Sequence, residues 1–158
     1  EGEKDKHKSL ISKIRDALVP HSRAEEAIFY NSLREVGAAK TLVAHGYQEH
    51  IEAETLLRTL QAAGAVDTGW KTMAKKLKDA LEHHISEEEG EIFAAARQTF
   101  TEQEAEAMGT AFEKLKPEIK GESMMQTTME LFANMMPPRF ASSFKKFNLE
   151  SRLQSKLG

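Results

Sequence analysis

Five of the six histidines in this chain have a glutamate four residues after them. The pairs are His21 with Glu25, His45 with Glu49, His50 with Glu54, His83 with Glu87, and His84 with Glu88. On an α-helix this spacing places both side chains on one face, about one turn apart. An imidazole and a carboxylate so placed can bind one metal ion, or two ions that share a bridging carboxylate. The recurrence therefore favours metal ligation.

The alternative interpretation is a set of solvated acidic helices with incidental histidines. Surface ion pairs explain the pattern poorly, because the favoured order on a helix places the acid before the base. The chain has no cysteine, so thiolate ligands are excluded. A buried set of imidazoles and carboxylates favours iron or manganese, with zinc possible.

Helices must position these pairs, because apolar residues recur with a period of about 3.6 almost throughout the chain. The pattern predicts an all-α, up-and-down bundle with short turns. The predicted helices cover about 5–36, 39–63, 69–99 and 101–115. The boundary signals are Gly37, Gly64, a cap at Asp67 or Thr68, and a capping box of Thr101 with Glu104.

Three of the pairs lie in the apolar stripes of their helices. The stripe of the first helix consists of Leu10, Ile14, Leu18, His21, Glu25 and Ile28. The second and third stripes include Val43, His50, Glu54 and Leu57, and then Leu77, Leu81, His84, Glu88 and Ile92. By contrast, His45 and His83 lie about 100° or more from these stripes, so we expect them to be solvated and not to bind metal.

Two residues predict irregular helices. Pro20, directly before His21, removes a backbone donor and predicts a kink. Gly90, inside the third helix, costs about 1 kcal/mol relative to Ala and indicates close packing or a local distortion.

The three inward histidines are expected to meet at one level of the bundle. Short connections make neighbouring helices antiparallel. His21 and His50 lie 16 and 13 residues from the first turn, and His50 and His84 lie 16 and 18 residues from the second. At 1.5 Å per residue these mismatches are roughly 3 to 5 Å, one helical turn or less. His7 lies about 21 Å from His21 along the same helix and cannot join them.

Composition limits the function classes. The 158 residues suffice for one domain with a hydrophobic core. A formal net charge of −3 gives no basic field for nucleic acid or an anionic membrane. No apolar run approaches the roughly 20 residues of a membrane span, and no signal peptide opens the sequence. Together with the missing cysteines, these features lead us to expect a cytoplasmic protein with no nucleic-acid or membrane partner.

Three segments resemble the hemerythrin-like, or HHE cation-binding, domains of bacteria. They are HSRAEEAIFYNSLRE at 21–35, YQEHIEAETLL at 47–57 and HHISEEEGEIFAAAR at 83–97, and the resemblance covers about residues 5–115. It implies a four-helix bundle with an oxo- or hydroxo-bridged, non-haem di-iron centre held by histidines and two bridging carboxylates. Carried over residue by residue, the metal ligands are His21, Glu25, His50, His84 and Glu88. Glu54 matches no family ligand and is a possible additional one.

The sequence differs from the family pattern at its start. The family normally begins with a helix whose Asp-His pair supplies a further ligand, and this chain starts just after that point. We divide the chain into a metal-binding bundle, 1–118, and a C-terminal part, 119–158. The C-terminal part has a Met-rich helical stretch at 123–136 and, after Pro137 and Pro138, a basic amphipathic tail. We expect this apolar stretch to pack on the bundle or on a second chain, so a homodimer is the expected assembly.

The resemblance implies an iron protein that binds O₂, NO or peroxide for sensing, storage or stress protection. Two further functions remain open. One is enzymatic turnover of peroxide or NO at the same centre, and no additional acid–base group is visible in the sequence to separate turnover from binding. The other is a helical scaffold whose Met-rich C-terminus docks a partner.

Overall fold

The computed structural model describes residues 2–36 and 39–119, and within these ranges all regular structure is helical. Helix α1 consists of an α-helical segment Gly2–Glu25, a π-helical turn Glu26–Tyr30 and a short segment Asn31–Leu33. Helix α2 spans Lys40–Ala62. Helix α3 consists of Thr68–Glu87, a π-helical turn Glu88–Ile92 and Phe93–Thr99. Helix α4 spans Glu102–Leu115 and is followed by a 3₁₀ turn, Lys116–Glu118. The predicted all-α bundle is confirmed.

The helix ends form where the sequence signals predict them. Asp67 caps α3 by accepting a hydrogen bond from the backbone N–H of Trp70 at 2.8 Å. Thr101 and Glu104 form the reciprocal capping box of α4. Helix α2 ends where Ala63 adopts an extended backbone conformation, just before Gly64. Gly37 lies outside the described residues, as do the predicted Met-rich stretch and the C-terminal tail.

Three groups of buried apolar residues hold the helices together. One end of the bundle is filled by Ile11, Ala53, Leu57, Leu60, Trp70 and Leu77. The other end is filled by Tyr30, Leu33, Ala39, Val43, Ile92 and Ala96. A third group packs α4 against the outer side of α1 through Ala24, Ala27, Ile28, Met108, Ala111, Leu115 and Ile119. In each of α1, α2 and α3, the inward His and Glu residues lie between the two end groups.

The predicted stripe is wrong in the first half of α1. Leu10 and Ile14 are 47% and 38% exposed, whereas Ile11 is buried. In this half of α1 a different face of the helix is therefore buried from the one that the stripe through His21 and Glu25 predicts. An amphipathic stripe indicates which residues can be buried, but the neighbouring helices decide which of them are covered.

A π-helical turn begins directly after Glu25 in α1 and at Glu88 in α3. A π turn adds a residue to the helical turn and so shifts the phase of the following residues by about 100°. Gly90 lies in the second π turn, and a Cβ there would meet no atom of the described residues within 4 Å. Of the two readings of Gly90, local distortion is therefore confirmed and close packing is wrong. The α-helical segment of α1 continues through Pro20.

A membrane-crossing segment would need a longer and more apolar helix than any among the described residues.

Candidate metal centre

Helices α1, α2 and α3 bring five side chains together at the middle of the bundle. We name this set the inner cluster: His21, Glu25, His50, His84 and Glu88. Four of its members are buried, and the fifth, His21, has a side chain that is 40% exposed. The structure thus places together all five residues that the sequence and the family resemblance indicated as metal ligands.

His50 and His84 face each other across the interface of α2 and α3. Their Nε2 atoms are 3.2 Å apart, and His50 Nε2 lies 3.4 Å from Glu25 Oε2. One potential ligand atom from each of these three residues lies within 4.8 Å of the other two. A first-row metal bonded at about 2.0–2.2 Å requires ligand atoms separated by roughly 3 to 4 Å. The three residues therefore fit one ion.

A second group adjoins the first and shares one carboxylate with it. Ligand atoms of His21, Glu25 and Glu88 also lie within 4.8 Å of one another. His21 Nε2 is 3.7 Å from Glu25 Oε2, and His84 Nε2 is 3.9 Å from Glu88 Oε2. Glu25 belongs to both groups of ligand atoms.

The donor set also fits a metal on chemical grounds. Glu25 Oε2 is buried, and the His50 Nε2 atom 3.4 Å from it does not meet hydrogen-bond geometry. A buried carboxylate oxygen without a donor is costly, and a cation at this position would satisfy it. The surrounding imidazoles and carboxylates, without thiolates, suit iron, manganese or zinc.

The two carboxylates of the inner cluster, Glu25 and Glu88, have pKa values that are shifted in opposite directions. Burial, with the charge of neighbouring Glu25, raises the pKa of Glu88 to about 8. Burial also acts to raise the pKa of Glu25, but contacts with His50 and Glu88 and the charge of His21 outweigh it and lower that pKa. Glu25 is therefore the ionised member and Glu88 the protonated one near neutral pH. A cation would supply the positive charge that lets both ionise.

The pKa values of His50 and His21 also depend on burial and on the charges of neighbouring groups. Burial acts to lower the pKa of His50, but the carboxylates of Glu25 and Glu26 raise it to about 9. Burial lowers the pKa of His21. The metal-free cluster thus holds an imidazolium at His50 near neutral pH, and metal binding has to displace its proton.

Two carboxylates outside the inner cluster orient its histidines. Glu26 Oε1 lies 2.9 Å from His50 Nδ1, and Glu49 Oε2 lies 2.8 Å from His84 Nδ1. A hydrogen bond at Nδ1 fixes the ring and leaves Nε2 as the metal-binding nitrogen. The sequence analysis missed Glu26 and named Glu49 only as the partner of His45. Glu26 directly follows a ligand in the sequence, and Glu49 directly precedes one.

A buried tyrosine, also missed from the sequence, closes the cluster toward one end of the bundle. Tyr30 is fully buried, donates its hydroxyl to Glu88 Oε1 at 3.2 Å, and stacks on His50 with an interplanar angle of 9°. Burial and the charge of Glu88 raise its pKa, so Tyr30 remains an O–H donor. Gly46 makes this position possible, because a Cβ there would lie 2.6 Å from Tyr30 Oη.

Glu54, the possible additional ligand, is held elsewhere. Its Oε1 atom lies 2.8 Å from Arg23 Nη2, and Arg58 Nη2 is 3.7 Å from its Oε2. Arg23 also contacts Glu26 at 3.0 Å. Among the described residues, no three-residue group with metal-binding spacing includes Glu54. The structure thus places Glu54 in an ion-pair network that supports the centre from outside.

Three other histidines lie apart from the inner cluster. The His7 ring packs edge-on against Trp70 with 5.4 Å between centroids. The side chains of His45 and His83 are 51% and 62% exposed. Their placement on the surface agrees with the sequence expectation that they are solvated.

An apolar cleft reaches the inner cluster between α1, α3 and α4. Its volume is about 740 Å³, and both His21 and Glu25 line it. The rest of the wall is largely apolar and includes Ile28, Phe29, Phe93, Met108 and Phe112. The His21 ring packs edge-on against Phe112 with 5.4 Å between centroids. A small apolar molecule therefore has a route to the His21 side of the cluster.

Comparisons with known proteins agree with this site. The family model for the hemerythrin HHE cation-binding domain matches residues 1–96. A curated protein named "DNA nickase" from Nostoc sp. (strain PCC 7120 / SAG 25.82 / UTEX 2576) is 28% identical over 116 residues. That match covers 73% of this chain but only 32% of the relative, so the chain spans about a third of that protein's length. No solved structure matches the chain. The family model covers more than half of the chain and includes every inner-cluster residue, and the chain therefore belongs to the hemerythrin HHE cation-binding domain family.

Proposed function

We propose that the inner cluster holds two iron ions and that this centre binds O₂ or a related small molecule, NO or peroxide. The observation that carries the proposal is the shared carboxylate of Glu25, which belongs to both groups of converging ligand atoms. Iron is preferred because the donors are imidazoles and carboxylates, while manganese or zinc is the alternative occupant. When bound, the iron pair supplies open coordination at which such a molecule can bind.

The chain's own residues prepare the centre for that role. Glu25 and Glu88, once both are ionised, offset part of the charge of two cations, and Glu26 and Glu49 orient the rings of His50 and His84. Tyr30 directs an O–H group at Glu88. The apolar cleft at His21 favours entry of small uncharged molecules over ions, because an ion would lose its hydration shell there.

The second candidate is turnover of peroxide or NO at the same centre. It is favoured by the partial exposure of His21, whose side chain is 40% exposed. A reversible carrier protects its bound ligand from water, whereas an accessible centre admits water and allows side reactions to proceed.

DNA nicking, the activity in the name of the Nostoc relative, is not part of this proposal. The chain spans 32% of that relative. Its formal net charge of −3 also lacks the basic excess that phosphate binding uses.

Iron content per chain tests the proposal. The purified full chain, loaded with ferrous iron under argon and desalted, should contain about two irons and develop the spectrum of an oxo-bridged di-ferric centre in air. Glu25→Ala should lose both ions, because Glu25 is the shared ligand. His50→Ala and His21→Ala should each lower the content toward one. His7→Ala, a histidine outside the cluster, is the matched control and should keep both. Equal iron in Glu25→Ala and His7→Ala would refute the proposal.

Peroxide separates the two candidates on the same samples. Oxygen release from added peroxide at a rate far above that of Glu25→Ala supports turnover. Reversible spectral changes with O₂ or NO, without consumption, support binding.

We also propose that the chain forms a homodimer. The basis is the Met-rich sequence at 123–136, which lies outside the described residues. Light scattering after size-exclusion chromatography should give twice the chain mass. Truncation after Glu122 should change that mass or lower the solubility, and an unchanged mass and solubility would contradict the proposal.

A further inference from the structure

A second group of metal-type ligands lies on the surface between α2 and α3. We name it the outer cluster: His45, Glu49, His83 and Glu87. It consists of two His–Glu pairs with the spacing of four, one on each helix, facing each other across the antiparallel interface. None of its members is an inner-cluster ligand. Potential ligand atoms of all four lie within 4.8 Å of one another.

The separations match a tetrahedral ion. His45 Nε2 and His83 Nε2 each lie 3.2 Å from an oxygen of Glu87. The same two nitrogens lie 3.7 and 3.6 Å from Glu49 Oε1. Four nitrogen and oxygen ligands bonded to Zn²⁺ at about 2.0–2.2 Å in a tetrahedron are roughly 3.4 Å apart. These four distances lie close to that value, and the two contacts to Glu87 use different oxygens, Oε2 for His45 and Oε1 for His83.

Glu49 gives an independent indication of a ligand. Its side chain is only 9% exposed, and its Oε1 atom accepts no hydrogen bond from the described residues. Its other oxygen, Oε2, is already engaged by His84 Nδ1 at 2.8 Å. Oε1 is therefore a buried acceptor directed at the two exposed imidazoles. Leaving it unsatisfied is costly, whereas a cation between it and the rings removes the cost.

Contrary to the expectation from the sequence that His45 and His83 do not bind metal, we propose that the outer cluster binds one divalent cation of the Zn²⁺ type, separate from the inner centre. Two carboxylates balance the charge of such an ion, and two neutral imidazoles complete four-coordination. The bound ion would join α2 to α3. Its ligand Glu49 would also connect it to the inner cluster, because the other oxygen of this carboxylate orients His84. The competing explanation is a metal-free network of surface His–Glu ion pairs.

Zinc binding to the iron-loaded full chain tests the proposal. Isothermal titration with Zn²⁺, followed by equilibrium dialysis and elemental analysis, should show one zinc per chain with no loss of iron. In His45→Ala/His83→Ala, affinity for this zinc should fall at least tenfold, because losing a group that only supports a ligand typically costs about 10- to 100-fold. His7→Ala is the matched control and should bind zinc as the parent does.

The double variant should fold, because both replaced side chains are more than half exposed. Circular dichroism and its iron content check this directly. A second measurement uses Co²⁺, whose visible bands should report a tetrahedral site in the parent and be lost in the double variant. Equal zinc uptake by parent and double variant, or zinc that enters only by displacing iron, would overturn the outer site.

The outcome is readable even if the inner centre does not hold iron. In that case the parent should still bind one zinc more than His45→Ala/His83→Ala. Failure of the di-iron proposal would appear as missing iron in both proteins, and failure of the outer site as equal zinc in both.

Discussion

The Nε2 atoms of His50 and His84 lie 3.2 Å apart, although the two residues come from different helices. Each ring has its other nitrogen on a carboxylate, Glu26 for His50 and Glu49 for His84. Two imidazoles that point their Nε2 atoms at each other share one proton or bind one cation. Glu26 and Glu49 thus hold the two rings with their Nε2 atoms facing each other, and these two nitrogens lie at the centre of the metal-binding geometry.

Glu26 should control metal affinity without being a ligand. Glu26→Ala removes the partner of His50 Nδ1 and frees the ring to rotate, so iron affinity should fall by about 10- to 100-fold. Glu26→Gln keeps an oxygen acceptor and should lose less. Competition with a chromophoric chelator measures both. Glu52→Ala, an exposed glutamate on α2, is the control. Unchanged affinity in Glu26→Ala would remove its positioning role.

Glu54 should support stability and not metal binding. Glu54→Gln breaks its ion pair with Arg23, so the free energy of unfolding of the metal-free chain should fall by about 1.5–3 kcal/mol. Urea unfolding measures this change. Iron content should stay at the parent value, in contrast to the isosteric Glu25→Gln. Loss of iron in Glu54→Gln would instead identify Glu54 as a ligand.

Replacing Gly46 with a larger residue should destabilise the fold, because Tyr30 packs directly against it. In Gly46→Ala the new Cβ would meet Tyr30 Oη at 2.6 Å and two ring atoms at 2.8 Å, which should cost about 1–3 kcal/mol of stability. The matched control is Gly109→Ala in α4, where a Cβ meets nothing within 4 Å. It should stabilise by up to about 1 kcal/mol. Tyr30→Phe removes the shortest contact and should partly rescue Gly46→Ala. If the two glycine variants unfold alike, the close approach is not a constraint.

The metal-free chain should lose stability between pH 7 and 9. The pKa of Glu88 rises from 4.5 to about 8 on folding, and that of His50 from 6.5 to about 9. Folding thus favours the protonated forms, and this stability is lost as pH rises through the folded pKa values. The melting temperature of the metal-free chain should therefore be several degrees lower at pH 9 than at pH 7. The melting temperature of the iron-loaded protein should fall less over this pH range, because its ligands are already deprotonated. Equal melting temperatures at both pH values in the metal-free chain would contradict the assignment.

Much of this arrangement can be read from local sequence patterns. The period of 3.6, the cap at Asp67 and the box of Thr101 with Glu104 predicted helices that the structure confirms. The spacing of four between His and Glu, and equal distances from the turns, led to the expectation that three pairs meet. These signals are readable because they depend on neighbours within one helix or on helix length alone.

The tertiary structure decided the partners across helices. Glu54 lies in an apolar stripe as Glu25 does, yet it faces Arg23. Glu49, whose sequence partner His45 lies off the stripe, orients His84. Leu10 and Ile14 are likewise exposed, although the apolar stripe predicted that they would be buried. The reason is physical: a helix's rotation and axial shift against its neighbours are fixed by side-chain packing, and the π turns change the phase by about 100° partway along α1 and α3. The sequence by itself determined which residues can bind metal, and only the packing decided which of them face the same ion.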